Sequence, residues 1–223
     1  MAIRGHALAL AATFVIAPAA VATQASAATI SVNKPCYVME AKRALMTVTG
    51  SGFTPGDTVT LSSSDGSVAA SGPVSAAGTI SIITGAPVPG KLFDAATPKT
   101  VSVTATDLSA TAPVSASTPT TVAPLLVQTK PARAKFTRRV TFLFSGFTQG
   151  ETIYAHFLHP KQVALARYGK AKGVCGLLKT RARLYPGGHP HFKSYKVQFD
   201  DFKHFTKKAA PRLDVTLRTF VVR

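Results

Sequence analysis

Ser145-Gly146-Phe147-Thr148-Gln149-Gly150 repeats Ser51-Gly52-Phe53-Thr54-Pro55-Gly56 almost letter for letter, at an offset of 94 positions (145 minus 51). A second landmark, Lys34-Pro35, returns as Lys130-Pro131 at an offset of 96. Two landmarks recurring in the same order at nearly one spacing mean a supersecondary plan used twice. The glycines permit positive φ or close backbone approach, and Pro55-Gly56 suits a tight turn. Phe53 and Phe147 are then placed to fold inward as plugs. The flanks alternate in polarity: Leu45 to Thr49 and Thr58 to Leu61 around the first copy, Arg139 to Phe144 and Thr152 to Phe157 around the second. Alternation over this length predicts half-buried strands on either side of each turn.

The 223 residues therefore divide into two units of about 90 to 100 residues, an ordinary size for a small β-sandwich. Thr, Ser, Val, Gly and Pro are abundant and only 16% of residues are charged, with no long helical periodicity after the first residues. The expected fold class is all-β, two sandwiches in tandem after a signal peptide. Asp65-Gly66 reads as a hairpin turn. Val68 to Ser71, Thr79 to Thr84 and Lys99 to Thr106 read as further strands of the first unit. In the second, Leu177 to Leu184 and the alternations at Tyr195, Val197, Phe199 and at Leu213, Val215, Leu217 read as strands that close it.

Residues 1–27 read as a targeting segment. Arg4 and His6 precede a charge-free stretch from Ala7 to Ala22, and Ala25-Ser26-Ala27 supplies a peptidase-type site. The apolar part is shorter than the roughly 20 residues a bilayer requires and contains Pro18. Export to the extracellular side, with no transmembrane segment after processing, is the expectation. The expected domains are 28–108 and 125–223, joined by an Ala/Ser/Thr/Pro linker over 109–124, with an edge strand of either domain as the alternative reading of that stretch. Cys36 and Cys175 are the two cysteines of an exported chain, so a disulfide between the domains is expected.

The stretch Ser51 to Val59 resembles the repeated signature of bacterial immunoglobulin-like modules, including the IPT/TIG-type group, found on exported proteins. The resemblance rests on about ten residues in each copy and implies an immunoglobulin-like fold for both. Such modules commonly act as spacers, adhesion units or carbohydrate-contact units rather than catalysts. The shared motif is structural, so no functional residue transfers with it. The second copy departs from the pattern in carrying Gln149 for Pro55 and in its excess of cations.

That excess is the main functional signal. The net charge is +17, and from residue 129 onward 20 Lys and Arg stand against Glu151, Asp200, Asp201 and Asp214. A small domain needs a net charge of about 2 to 8 for solubility, so an anionic partner is indicated. Lys170, Lys172, Lys179, Arg181, Arg183, Lys193 and Lys196 are the candidate anion-binding residues, read as one stripe across a sheet and its loops. An anionic envelope polymer or acidic glycan is the expected partner. Extracellular nucleic acid is a second reading, although no nucleic-acid motif is present. The aromatics among these cations, Tyr195 and Phe199 above all, read as core.

No catalytic residues, cofactor or metal site are expected. His156, His159, His189 and His191 read as exposed loop histidines rather than metal ligands, since two flank Pro190 after Pro186-Gly187-Gly188. Asp200 and Asp201 are adjacent, so on a strand they face opposite ways and cannot share acid–base work. The remaining enzymatic alternative is a cysteine-dependent cell-wall enzyme using Cys175, whose neighbouring lysines would favour a thiolate.

Overall fold

A computed structural model describes residues 27–40, 42–108, 113–132, 134–135, 138–187, 192 and 194–218. The expected targeting stretch before residue 27 lies outside them, as do Lys193, His189 and His191. The described chain is built of strands: β1 (Thr29–Val32), β2 (Tyr37–Met39), β3 (Leu45–Ser51), β4 (Thr58–Ser63), β5 (Ala69–Pro73), β6 (Thr79–Gly85), β7 (Lys99–Asp107) and β8 (Val114–Pro124) in the first half. The second half contains β9 (Leu126–Lys130), β10 (Arg139–Ser145), β11 (Thr152–His159), β12 (Lys161–Lys170), β13 (Leu178–Arg183), β14 (Ser194–Asp200) and β15 (Arg212–Arg218). Among the described residues the one helical element is a 3₁₀ turn at Leu92–Asp94.

Four sheets result, in the orders β1-β3-β6, β2-β8-β7-β4-β5, β9-β10-β13 and β12-β11-β14-β15. All neighbours pair antiparallel except β2 and β8, which run parallel. Period-two alternation decides which faces meet. Met46 and Val48, Val59 and Leu61, Ile80 and Ile82, and Val103 and Ala105 turn inward to form one core with Tyr37, Met39 and Phe53. Val140, Phe142 and Phe144 of β10 meet Ile153, Ala155 and Phe157 of β11 and Tyr195, Val197 and Phe199 of β14 in a second core. Burial of each Val, Leu, Ile, Met or Phe among these contributes about 1.5–3 kcal/mol. The chain is thus an all-β sandwich fold with a core in each half.

The repeat is reproduced in hydrogen bonds as well as letters. The Phe53 N–H donates to the Gly78 carbonyl at 3.2 Å, and the Phe147 N–H to the Gly176 carbonyl at 3.3 Å. The Thr54 N–H donates to Asp107 Oδ2 at 2.8 Å, and the Thr148 N–H to Asp201 Oδ2 at 3.0 Å. Gly52 and Gly146 adopt φ of 86° and 87°, and Phe53 and Phe147 are both buried. The third landmark, Asp107 with Asp201, lies beyond the obvious motif at the same offset.

Of the two readings of 109–124, linker or strand, a strand forms over Val114–Pro124. β8 pairs with β7 from Asp107↔Val114 to Lys99↔Val122, completing the five-stranded sheet. Pro119 is accommodated because β2 covers only Tyr37↔Val122 to Met39↔Pro124, leaving β8 an open edge at 119 where no ladder N–H is needed. Residues 109–112 lie outside the described residues. Leu125 alone separates β8 from β9; it is buried, and its N–H donates to the Met39 carbonyl at 2.8 Å.

Candidate anion-binding face

Cys36 and Cys175 form the expected disulfide, with their Cα atoms 5.5 Å apart. Both are buried beside Ala123, against Leu177. The Gly146 N–H donates to the Cys175 carbonyl at 3.0 Å, so the bridge ties the first half to the repeated turn of the second. A Cβ on Gly146 would lie 2.8 Å from both Leu125 Cα and Val38 Cγ1, which explains a glycine where the two halves meet. With its sulfur in a disulfide, Cys175 has no thiolate to offer and the nucleophile reading loses its reacting atom.

The structure divides the seven candidate cations rather than joining them in one stripe. Lys179, Arg181 and Arg183 alternate with Leu178, Thr180 and Ala182 along β13 and stand exposed on its outer side. Lys196 lies on β14 between core residues Tyr195 and Val197, hence on the outer face of the other sheet. Lys170 ends β12, while Lys172 is exposed in the loop closed by its own backbone bonds with Leu177. Lys193 lies outside the described residues. The single stripe expected across one sheet is therefore corrected: alternate residues on strands of facing sheets point away from each other.

Strand pairing adds two cations that sequence reasoning missed. Arg139 of β10 lies directly opposite Arg183, and Thr141 lies between Arg181 on one side and Lys130 of β9 on the other. Leu143 likewise stands between Lys179 and Gln128. Lys130, Arg139, Lys179, Arg181 and Arg183 are all exposed on this outer face. Among the described residues of β9, β10 and β13 no acidic or aromatic residue occupies an outward position. Among the described residues the ion pairs are His156–Asp200 and Arg212–Asp214, neither involving these five. Directly opposed like charges destabilise a strand pair by a few tenths to about 1 kcal/mol, so Arg139 and Arg183 leave a repulsion that an anion would relieve.

The first half supplies an internal comparison. Its corresponding sheet, β1-β3-β6, turns Thr29, Ser31, Thr47, Thr49, Thr79 and Ser81 outward, together with the exposed Leu45 and Ile83. Ser31 Oγ and Thr49 Oγ1 are 3.0 Å apart across the strands. The same sheet order thus presents an uncharged face, hydroxyls with Leu45 and Ile83, in one copy and cations in the other.

The opposite face of the second half holds a buried polar cluster. His156 is fully buried on β11, correcting its reading as an exposed loop residue; His159, at the strand end, is exposed. His156 Nε2 is 3.2 Å from Asp200 Oδ1 and 2.9 Å from the Phe202 carbonyl, and Nδ1 is 3.0 Å from Gln162 Oε1. The Gln198 amide donates to the Thr206 carbonyl at 2.8 Å and to Asp200 Oδ2. Residues 201–211 thereby fold as a strap over outward-facing His156 and Gln198, with Phe205 against the imidazole ring at 5.8 Å. Among the described residues no group of three His, Cys, Asp or Glu is arranged to hold a metal. Burial, reinforced by the nearby Asp200 and Glu151 charges, pushes the Asp201 carboxyl up despite its bonds from Thr148. At Asp65 burial is opposed and outweighed by bonds from Ser63 and Ser67, which hold its carboxyl down.

No protein-family model matches the chain, and no curated protein does. Solved structures that align with the chain include a 1.5-MDa bacterial ice-binding adhesin, at 17% identity over 86% of this chain and 63% of that one, TM-score 0.32. A Ca2+-stabilized adhesin of an Antarctic bacterium aligns at 14% identity over 86% and 47%, TM-score 0.35. The human OSCAR ligand-binding domain aligns at 9% identity over 87% and 98%, TM-score 0.33. The chain spans less than two thirds of the length of either adhesin chain.

Proposed function

We propose that the protein is an exported, non-enzymatic binding module. In this reading two immunoglobulin-like sandwiches are joined in tandem, and the second adheres through the outer face of β9-β10-β13 to an anionic polymer of the cell envelope. The observation that carries the reading is the set of five exposed cations on one acid-free sheet face, two of them directly opposed. The buried disulfide supports an oxidising, extracellular setting. The hydroxyl-lined first half serves as partner or spacer.

The test is sedimentation of the purified protein with isolated envelope fragments over a range of salt. A variant with Lys130, Arg139, Lys179, Arg181 and Arg183 all changed to Gln is compared at matched folded fraction. Binding that falls with salt and is lost in this variant is expected. Equal retention of the parent and the variant would overturn the assignment.

A further inference from the structure

We infer that the polymer taken by this face is a linear phosphodiester of polyol type, lying along edge strand β13 with its distal end held between Arg183 and Arg139; this rests on the binding reading above. Three geometric observations point to it. Along β13, Lys179, Arg181 and Arg183 recur at every second residue, a pitch of about 6.6–6.8 Å. That pitch suits a chain charged once in each short, flexible repeat better than a glycan whose charge spacing is fixed by rigid sugar rings. β13 is also the edge of its sheet, flanked on one side alone by β10, so an extended chain can follow it.

The second observation is the kind of cation. Three of the five are arginines, and Arg139 and Arg183 sit opposite each other in register. Each guanidinium offers a planar fork of N–H donors matched to two oxygens of one anion. A phosphodiester supplies two equivalent non-bridging oxygens while carrying a single charge, so adjacent forks can share it. The Arg181–Thr141–Lys130 row gives the next anion a fork, a hydroxyl and an ammonium across the strands.

The third observation separates polyol phosphate from nucleic acid. Proteins that hold single strands without sequence preference combine cations with aromatic rings on which bases stack. Among the described residues this face has no outward aromatic; Phe142, Phe144 and Tyr168 all point into the core behind it. What it offers is contact to a charged backbone.

The experiment uses the full mature chain and measures affinity by calorimetry for synthetic poly(glycerol phosphate). Single-stranded DNA with the same number of phosphates and polygalacturonate at equal charge are the comparisons. Poly(glycerol phosphate) is expected to bind tightest, with log K falling by about 0.7 per unit log salt for each phosphate engaged. Arg139→Gln with Arg183→Gln should weaken it about tenfold or more and flatten the slope by about 0.7, for the one phosphate they share. Arg139→Lys with Arg183→Lys should keep the slope but lose affinity, since the charge remains and the fork does not. Lys196→Gln, on the other sheet, should change neither. Equal or tighter binding of polygalacturonate overturns the phosphodiester assignment, and tighter binding of DNA overturns the polyol assignment; either leaves the polyanion reading standing. A lysine pair that binds as well as the parent removes the clamp. Failure of all three polymers to bind removes the functional reading itself.

Discussion

Replacing Cys36 and Cys175 together by alanine tests how far the two halves depend on their bridge. The disulfide joins residues 139 apart in sequence. In the chain-entropy account, closing a loop of that length removes about 5 kcal/mol of unfolded-state freedom at 25 °C. If the second half unfolds while the first stays folded, the closed segment is the roughly 50 residues from Leu125 to Cys175, and the same relation gives about 4 kcal/mol. The two routes bracket the expected loss. With a urea dependence of about 3 kcal/mol per molar when the whole chain unfolds, the midpoint should fall by about 1.7 M; when the second half unfolds alone, a dependence of about 1.5 kcal/mol per molar gives a fall of about 2.7 M. The chain has 5 tyrosines and no tryptophan, so unfolding is followed by tyrosine fluorescence and far-ultraviolet circular dichroism. Reduced and thiol-blocked parent protein should show nearly the same midpoint as the alanine variant. A shift below about 0.3 M in both would refute the reasoning, leaving Leu125 and the Gly146 contact as the whole of the joint.

Gly176 has φ of 59° and a Cβ there would lie 1.5 Å from the Phe147 carbonyl oxygen, whereas Gly150 has φ of 85° with open space around it. Gly150→Ala should cost about 1–2 kcal/mol from backbone strain alone, and Gly176→Ala distinctly more, read from urea midpoints; equal costs would contradict the packing. His156→Leu leaves the Phe202 carbonyl and Asp200 short of a partner. We expect a loss of about 2–4 kcal/mol, with faster tryptic cleavage at Lys203, Lys207 and Lys208; unchanged cleavage would detach the strap from this cluster. Carboxyl NMR titration should place Asp65 below 3.8 and Asp201 above it. Asp65 then contributes stability that is present above pH 3.8 and lost as pH falls through its lowered folded value. Ionisation of Asp201 costs stability as pH rises from 3.8 through its raised folded value, a cost absent below that window. The reverse order of the two midpoints would contradict both causes.

The features readable from sequence were those with local signatures. The turn letters, the period-two runs and the pairing of two cysteines each reflect constraints within a few residues or a count, and the structure carries all three. β8 was harder. Its inward residues include Ala116, Thr118 and Thr120, so the contrast between its faces is weak and its composition imitates a linker. His156 was misread because its cover comes from residues 201–211, over 40 positions away, and nothing in the neighbouring letters announces burial. Lys130 and Arg139 escaped for a similar reason. Their place beside Arg181 and Arg183 depends on which strands pair, and that register is a non-local property.

What the two copies retain also limits where function can have diverged. Both keep a buried phenylalanine, a glycine at the carbonyl it donates to, and an aspartate that accepts from the following residue. These groups fix the turn from which the flanking strands leave, and Gln149 can replace Pro55 because both positions are exposed. Divergence falls instead on outward side chains and on the covering strap, where a change leaves the inward set intact. Hydroxyls at Thr47 and Thr49 correspond to Thr141 and Leu143, and cations enter on the strands to either side, at Lys130, Lys179, Arg181 and Arg183. A one-residue connection and a buried disulfide then join the hydroxyl-bearing copy to the cationic one. The charge is therefore added to a surface whose alternation places it in solvent, which is the cheapest place in a sandwich to build a new contact.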